Sequence, residues 1–277
     1  MKIVTLVENT SDTSELEHEH GLSLYIETEK HKILFDTGST GMFARNAEKL
    51  GVDLTQVDTV ILSHGHYDHA GGIETFLKLN TKALIYMRSN AFEEHYHCNA
   101  AEEKYIGLDR KLKENPRIRF LDGNQELDEE LFLFTNVMGR KSWPVSNQEM
   151  KQKTENGFIQ DDFTHEENLV ITQHGKKYLL SGCSHNGVIN ILDEYRKLFL
   201  EEPEIYMGGF HLIHFHSAEE YTPEEEMFIQ KFGSQLKEMK TEFYTGHCTG
   251  EEAYQILKKV MGDKLHPIHT GTKFLFE

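Results

Sequence analysis

The chain has 277 residues, of which 38% are hydrophobic and 27% are charged, so it is long enough for one large domain with a sizeable core. Its 46 acidic and 29 basic side chains give a formal net charge of −17 at pH 7, which disfavours nucleic acid and anionic membranes as partners. Three widely spaced cysteines argue against a disulfide framework and fit a reducing compartment. We therefore expect a cytoplasmic globular protein with a small-molecule partner, and its oligomeric state stays open.

The first third of the sequence alternates predicted strands and helices. The N-terminal segment MKIVTLVE is predicted as a strand rather than a signal peptide, because it is short and charge follows soon. Strands are expected in GLSLYIETE and KILFDTG, followed by a helix with Phe43, Ala47 and Leu50 on one face that ends at Gly51. The strand VDTVILS, the loop SHGHYDHAGG, a helix from Ile73 and the strand ALIYM complete a βαβ pattern.

The middle of the chain, residues 88–165, is less regular and more polar. Two strands are expected there, RIRFL and LFLF, and little periodicity follows between Met138 and Phe163. Long irregular connections often cover active sites, but a plain surface excursion has the same sequence pattern. We interpret this segment as an insertion within a single 1–277 domain, with the lid left as an alternative.

From Asn168 onward the alternation of strands and helices resumes. Strands are predicted in NLVITQ, KYLLSGCSH, EIYMGGFHL and EFYTGHC, and helices in GVINILDEYRKLF, 222–239 and 250–261. Three of these strands end at a glycine-flanked histidine, namely His185, His211 and His247. In open α/β architectures ligands gather at strand ends. Because the two ends of the chain share one pattern, a duplicated αβ/βα sandwich is expected.

The loop SHGHYDHAGG carries four potential metal ligands within six positions. Side chains alternate along extended backbone, so His64 and His66 lie on the same side and can share one ion. Asp68 and His69 follow at the start of the next helix and can face a second position. Such clustering favours a metal site over solvent-facing histidines, and histidine with carboxylate favours a catalytic over a structural, cysteine-rich site.

These residues resemble a known family. His-x-His-x-Asp-His after an apolar strand, with Asp36 in FDTG upstream, resembles the signature of the metallo-β-lactamase superfamily. The segments EHGLSLYIET, ILFDTG, SHGHYDHAGG, GCSHNG, GGFHL and GHCTG together resemble the branch named for dihydropterin-ribofuranosyl-aminobenzene-phosphate synthase, from about Ile3 to Phe276. The resemblance implies a four-layer αβ/βα sandwich with one or two divalent ions, commonly zinc.

The resemblance also implies roles for individual residues. His64 and His66 would hold the first ion, Asp68 and His69 the second, and Asp36 would orient a ligand histidine by hydrogen bonding. His247 matches the late histidine of the superfamily and would complete the second site.

The sequence departs from the superfamily where many members place a bridging aspartate after glycine. The comparable segment here is Gly-Cys-Ser-His, so His185 or the softer Cys183 would complete the first site, and His185 is preferred. His211 is either a ligand or a residue that contacts substrate, and we assign it with Asp68 to catalysis. His165 stands near another ligand position of related branches and ranks below His185.

The expected function is a metal-dependent hydrolase in which metal-activated water attacks a small-molecule ester, with phosphoesters or cyclic esters preferred and Asp68 as ligand and proton acceptor. Two alternatives use the same fold: a synthase that condenses a pterin with ribofuranosyl-aminobenzene phosphate, and a non-catalytic ligand-binding protein. An oxidoreductase of the flavodiiron type is disfavoured, because that type carries glutamate where this chain has Gly65. Histidine and carboxylate accept zinc, iron or manganese, so the metal stays open.

Overall fold

The computed structural model describes residues 1–213 and 221–277. Within these ranges the strands are, in chain order, β1 Lys2–Val7, β2 Ser23–Glu27, β3 Lys32–Phe35, β4 Thr59–Ile61, β5 Leu84–Arg88, β6 Glu94–Cys98, β7 Glu103–Tyr105, β8 Ile118–Leu121, β9 Gln125–Glu126, β10 Leu131–Phe134, β11 Met150–Thr154, β12 Gly157–Gln160, β13 Asn168–Gln173, β14 Lys176–Leu180, β15 Ile205–Met207, β16 Glu242–Thr245, β17 Leu265–Pro267 and β18 Lys273–Leu275. The helices are α1 Met42–Leu50, α2 Tyr67–Ala70, α3 Ile73–Leu79, α4 Val188–Phe199, α5 Pro223–Lys237 and α6 Glu251–Met261.

Two seven-stranded sheets repeat one design. The first has the order β18-β1-β2-β3-β4-β5-β8 and the second the order β17-β16-β15-β14-β13-β10-β9. In each sheet four neighbouring strands run parallel, β3-β4-β5-β8 in the first and β14-β15-β16-β17 in the second, and the other three are antiparallel. The expected internal duplication is therefore present in the strand order.

Three hydrophobic clusters define four layers. A central cluster that includes Ile33, Phe35 and Leu169 packs the two sheets against each other. A second cluster packs α1 and α3 on the outer face of the first sheet, and a third packs α4, α5 and α6 on the outer face of the second. Because each sheet is buried on both faces, its parallel strands are apolar almost throughout, as in VDTVILS. The predicted αβ/βα sandwich is confirmed.

Helix ends follow the local sequence. Gly51 ends α1 in the left-handed conformation with φ of 73°, as its position after the apolar stripe predicts. Helix α5 begins with a capping box in which Thr222 and Glu225 each bond the other's backbone N–H, and proline follows at the first helical position. None of the helices in the described ranges is long and apolar enough to cross a bilayer.

The middle segment contributes to all three sheets. Strands β6, β7, β11 and β12 form a separate four-stranded sheet in the order β12-β11-β6-β7. The two strands predicted from RIRFL and LFLF are β8 and β10, which belong to the first and second large sheets instead. The separate sheet is thus only part of residues 88–165, and it lies on the side of the molecule where the histidine-rich loop emerges.

His31 links the two large sheets near the starts of β3 and β10. The His31 ring, before β3, donates from Nδ1 to Asp58 at 3.0 Å and from Nε2 to Asp128 at 2.7 Å, and Asp128 precedes β10. Burial lowers the pKa of His31, but the two carboxylates outweigh burial and raise that pKa above its ordinary value. The protonated ring can satisfy both carboxylates at once because both nitrogens then donate.

Candidate metal centre

The candidate site lies where parallel strands end. The loop with His64 and His66 follows β4, and α2 carries Asp68 and His69. From the second sheet, Cys183 and His185 follow β14, His211 follows β15 and His247 follows β16. The carboxyl ends of parallel strands in both sheets therefore meet at one place, as the duplicated pattern predicts.

The first group consists of His64, His66 and His185. Their ring centres lie 4.5 Å apart for His64–His66, 4.9 Å for His64–His185 and 4.8 Å for His66–His185. The Nε2 atom of each of the three rings is buried without a hydrogen-bond partner. A buried polar atom without a partner is costly, so three of them on neighbouring rings indicate that a ligand belongs at this place.

Hydrogen bonds fix the direction in which the His64 ring presents its lone pair. The Ser63 hydroxyl donates to Asp36 Oδ2 at 2.7 Å, so its oxygen accepts the proton of His64 Nδ1 at 2.9 Å. A neutral ring with its proton on Nδ1 has a bare Nε2, which is the form that binds a metal ion.

The Asn147 amide orients the His185 ring with its proton on Nδ1, as in His64. The Asn147 amide nitrogen donates to the His185 carbonyl at 2.7 Å, which turns its oxygen toward His185 Nδ1 at 3.0 Å. The ring must donate from Nδ1, and its Nε2 is left bare toward His64 and His66.

The second group consists of Asp68, His69, Cys183 and His247, all buried, with their ligand atoms within 4.8 Å of one another. His69 Nε2 lies 3.0 Å from Cys183 Sγ and 3.1 Å from His247 Nε2, and Asp68 Oδ2 lies 3.2 Å from His247 Nε2. A carboxylate, a thiol and two imidazoles form a donor set that suits zinc.

The two histidines of this group are also oriented through Nδ1. His69 Nδ1 donates to Asp36 Oδ2 at 2.6 Å, and His247 Nδ1 donates to Asn9 Oδ1 at 2.8 Å. Their Nε2 atoms therefore face each other with lone pairs. Two lone pairs at 3.1 Å repel unless a proton or a metal ion lies between them.

Burial keeps most of these histidines neutral. Burial, together with neighbouring histidines, lowers the pKa of His64, His66 and His185 well below its ordinary value. Burial is also the main cause that lowers the pKa of His211 and of His247 to about 3. Neutral imidazole is the form required of a ligand.

In the second group the surroundings favour the charged forms of Asp68 and His69. Burial raises the pKa of Asp68, but His69, His20 and His247 outweigh burial and hold that pKa well below its usual range. Burial lowers the pKa of His69, but Asp36 and Asp68 outweigh it and raise that pKa. Positive charge is therefore favoured at the centre of this group, whether a proton or a cation supplies it.

Cys183 lies near both groups, whereas His185 lies only in the first. The sequence offered them as alternatives for the first site, whereas the structure places His185 beside His64 and His66 and turns Cys183 toward His69. The Cys183 Sγ atom also lies within 4.8 Å of the ligand atoms of His64 and His185. The thiol therefore lies between the two proposed ion positions. Many superfamily members have a bridging aspartate after the glycine of this segment, and in this chain Cys183 stands there instead.

The two uncertain histidines lie at the edge of the site. His211 packs its ring 4.1 Å from the ring of His185, and its Nδ1 lies 2.8 Å from Ser146 Oγ. It borders the cavity described below, where it can touch a substrate. His165 belongs to another buried group with His66, His95 and Asp161.

Gly65 lies against the backbone of Ala91. A Cβ at this position would lie 2.3 Å from the Ala91 carbonyl oxygen and 2.8 Å from its Cα. Backbone cannot yield as a flexible side chain can, so no side chain fits here. A glutamate at this position, as in flavodiiron proteins, is sterically excluded.

A cavity of about 380 Å³ opens beside both groups. Its walls include His20, Asp68, Cys183, His185 and His211 from the centre. Other wall residues come from the middle segment, namely His97, Asn99, Glu102, Lys104, Ile106 and Met150. A cavity of this size fits a small molecule.

Sequence reasoning found one residue that orients a ligand histidine, Asp36, which accepts from His69 Nδ1 at 2.6 Å, but it missed two others. Asn9 and Asn147 are separated from the histidines they orient by 238 and 38 positions, so no local pattern connects them. His20, whose Nε2 lies 3.3 Å from Asp68 Oδ2, belongs to the segment EHGLSLYIET, and the two histidines of EHEH were the available signal.

The residues fit divalent ions. The donor atoms are bare nitrogens, a carboxylate and a thiol, and each ring nitrogen opposite the ligand atom in His64, His69, His185 and His247 is held by an oxygen acceptor. Such orienting partners are typical of metal-binding histidines. Imidazole, thiol and carboxylate together suit zinc, and iron or manganese suit the harder donors.

Comparisons with known proteins show the family to which the chain belongs. Residues 17–144 match the family described as the metallo-beta-lactamase superfamily. The crystal structure of Tm1679, described as a metal-dependent hydrolase of the beta-lactamase superfamily, is 31% identical, covers 100% of this chain and 99% of that chain, and has a TM-score of 0.79.

Two further relatives cover nearly the whole chain. The 7,8-dihydropterin-6-methyl-4-(beta-D-ribofuranosyl)-aminobenzene-5'-phosphate synthase of Methanocaldococcus jannaschii is 28% identical over 295 aligned positions, covering 98% of this chain and 95% of that protein. The crystal structure of Zn²⁺-bound PqqB from Methylobacterium extorquens covers 100% of both chains with a TM-score of 0.59 and 12% identity, which shows the fold alone.

Proposed function

Because the chain belongs to the metallo-β-lactamase superfamily, we propose that it is a metal-dependent hydrolase that cleaves an ester bond of a small molecule, with a phosphoester as the preferred substrate and a cyclic ester as the next choice. One observation carries the proposal. Two groups of potential ligand atoms, in which four histidines are oriented by hydrogen bonds at Nδ1, lie beside a single cavity of about 380 Å³ that members of both groups line.

Each group would hold one ion, and zinc is the metal we propose. His64, His66 and His185 would hold the first, on the distances between their rings and their unpartnered Nε2 atoms, and Asp68, His69, Cys183 and His247 would hold the second. When bound, such ions lower the pKa of coordinated water from 15.7 toward about 7 and polarise a substrate oxygen. A thiol ligand must stay reduced, which supports the cytosol as the compartment.

The side chains of the chain itself bind the substrate and move its protons. In hydrolysis the oxygen of water bonds to phosphorus or carbonyl carbon, the ester bond to the leaving oxygen breaks, and the proton released by water ends on that oxygen. Asp68 Oδ2 borders the cavity and is the acceptor we assign to the water proton. His211 also lines the cavity, and we assign it to contact with the substrate.

The cavity wall from the middle segment carries one cationic side chain, Lys104, and one acidic side chain, Glu102. Lys104 brings a positive charge to the cavity, where its ammonium lies 5.4 Å from the centre of the Tyr67 ring. Cationic side chains beside a metal pair suit phosphoryl oxygens. We propose that this part of residues 88–165 acts as the lid over the substrate.

A condensing synthase is the second candidate. It is favoured by the relative that carries this activity in its name and matches 98% of this chain. The centre itself does not distinguish the two reactions, because both would use a phosphorylated substrate beside the same ligands.

An activity screen separates these candidates. Protein reconstituted with zinc, iron or manganese is assayed against phosphodiesters, phosphomonoesters, lactones and thioesters, and separately for condensation of a pterin with ribofuranosyl-aminobenzene phosphate. We expect ester hydrolysis that His64→Ala and Asp68→Ala abolish while the fold persists in circular dichroism. His174→Ala, at an exposed histidine paired with Glu29, is the matched control.

Two results would overturn the proposed hydrolase. Wild-type rates in His64→Ala or Asp68→Ala would exclude the centre from the reaction. Condensation without any ester hydrolysis would establish the synthase instead.

A further inference from the structure

A side chain from outside the ligand loop holds the backbone between two proposed ligands. The Gly65 N–H, which lies between His64 and His66, donates to His165 Nδ1 at 3.0 Å, and the contact is buried. A buried backbone N–H needs an acceptor, and here the acceptor is an imidazole 100 positions away in the sequence.

This hydrogen bond determines where the proton of the His165 ring is. Because Nδ1 accepts, a neutral ring carries its proton on Nε2, so Nε2 presents an N–H and no lone pair. His64 and His185 have the opposite arrangement, since each donates from Nδ1 and has a bare Nε2. His165 is thus set up as an acceptor for the loop and not as a metal ligand.

Two residues hold the His165 ring from the other side. Asp161 Oδ2 lies 3.4 Å from His165 Nε2, which makes no hydrogen bond among the described residues, and the same oxygen accepts from His95 Nδ1 at 2.7 Å. The other oxygen, Asp161 Oδ1, accepts from the Phe163 N–H at 2.8 Å, which fixes the carboxylate. His95 belongs to β6, so a continuous chain of contacts runs from the separate four-stranded sheet to Gly65.

We propose that His165 is a positioning residue, which, backed by Asp161 and His95, holds the Gly65 backbone so that His64 and His66 converge on the first ion. The middle segment then has a second role besides forming a wall of the cavity, because it holds the ligand loop in place. The proposal rests on the metal centre proposed above but not on its substrate.

Two substitutions of the same residue separate positioning from ligation. In His165→Asn the amide oxygen can lie near the position of Nδ1 and accept from Gly65, whereas in His165→Gln it reaches the position of Nε2. We expect His165→Asn to bind zinc as the wild type does and His165→Gln and His165→Ala to bind the first ion about 10–100-fold more weakly. The measurement is a zinc titration in competition with a chromogenic chelator.

His31→Gln is the matched control, since His31 is a histidine outside the centre whose ring bonds the carboxylates of Asp58 and Asp128 at 3.0 and 2.7 Å. It should retain wild-type affinity. The proposal is overturned if His165→Asn loses as much affinity as His165→Ala, or if His165→Gln retains the ion while His165→Asn loses it.

The wild type gives a test that does not depend on how a variant folds. In a crystal structure with zinc, located by anomalous scattering, His165 Nε2 should lie well beyond the bond distance of about 2.1 Å from the ion. A zinc ion bonded to His165 Nε2 would overturn the positioning role alone. A wild type that binds no zinc would overturn the metal centre and this inference together.

Discussion

One carboxylate sets the proton positions of a ligand in each half of the proposed centre. Asp36 Oδ2 accepts from the Ser63 hydroxyl and from His69 Nδ1, and Ser63 in turn accepts from His64 Nδ1. Asp36→Asn replaces this oxygen by an amide nitrogen with two N–H groups. The hydrogen bonds can all be remade, but with every donor and acceptor reversed.

The reversal should weaken both sites without unfolding the protein. An amide N–H toward His69 Nδ1 moves the ring proton to Nε2, and an N–H toward Ser63 makes the hydroxyl donate to His64 Nδ1 with the same result. Each ligand atom then carries a proton that must be removed before an ion binds. Asp36 has φ of 59°, a conformation that asparagine tolerates well, so the backbone does not oppose the change.

Loss of an orienting partner typically costs 10–100-fold in metal affinity, which is about 1.4 to 2.8 kcal/mol for each ion. We expect zinc titrations of Asp36→Asn to show this loss at both sites, with little change in the thermal unfolding of the metal-free protein. Asp58→Asn, which alters an aspartate that pairs with His31 far from the centre, is the control. Wild-type affinity at both sites in Asp36→Asn would refute the reasoning.

Three further predictions follow from the geometry. Cys183→Ser should reduce bound zinc by weakening the second site, because a hydroxyl is a poorer zinc ligand than a thiolate, and elemental analysis showing an unchanged zinc content would contradict this. Gly65→Ala should destabilise the fold by about 1–3 kcal/mol in urea unfolding and displace the ligand loop, since its Cβ would meet the Ala91 backbone; wild-type stability would show that the loop adapts. The raised pKa of His31 predicts that this histidine stabilises the fold fully below the unfolded pKa of about 6.5, and that the stabilisation is lost as pH rises through the folded pKa. Urea unfolding across this pH range should show the loss in the wild type but not in His31→Gln.

The local part of the centre could be predicted from the sequence. The spacing of His64, His66, Asp68 and His69 is short enough that extended backbone and one helix start determine which side chains can meet. The strand ends of the second sheet were also predictable, because glycine-flanked histidines mark them. These features depend on residues a few positions apart.

The remaining features depend on contacts between distant parts of the chain. Whether Cys183 faces the first or the second group depends on how β14 stands against α2, which the sequence pattern does not determine. The same holds for Asn147 and Asn9, which decide where the protons of His185 and His247 reside. The strands β8 and β10 were predicted as strands, but their membership of the large sheets follows from pairing with β5 and β13.

Both proposed ion positions draw ligands from both halves of the duplicated sandwich. His64 and His66 come from the first half and His185 from the second, while Asp68 and His69 meet Cys183 and His247 in the same way. An isolated half therefore lacks a complete donor set, and zinc capture must wait until the two sheets have docked. During refolding, the moment at which zinc becomes resistant to a chelator would time the closure of the interface between the halves.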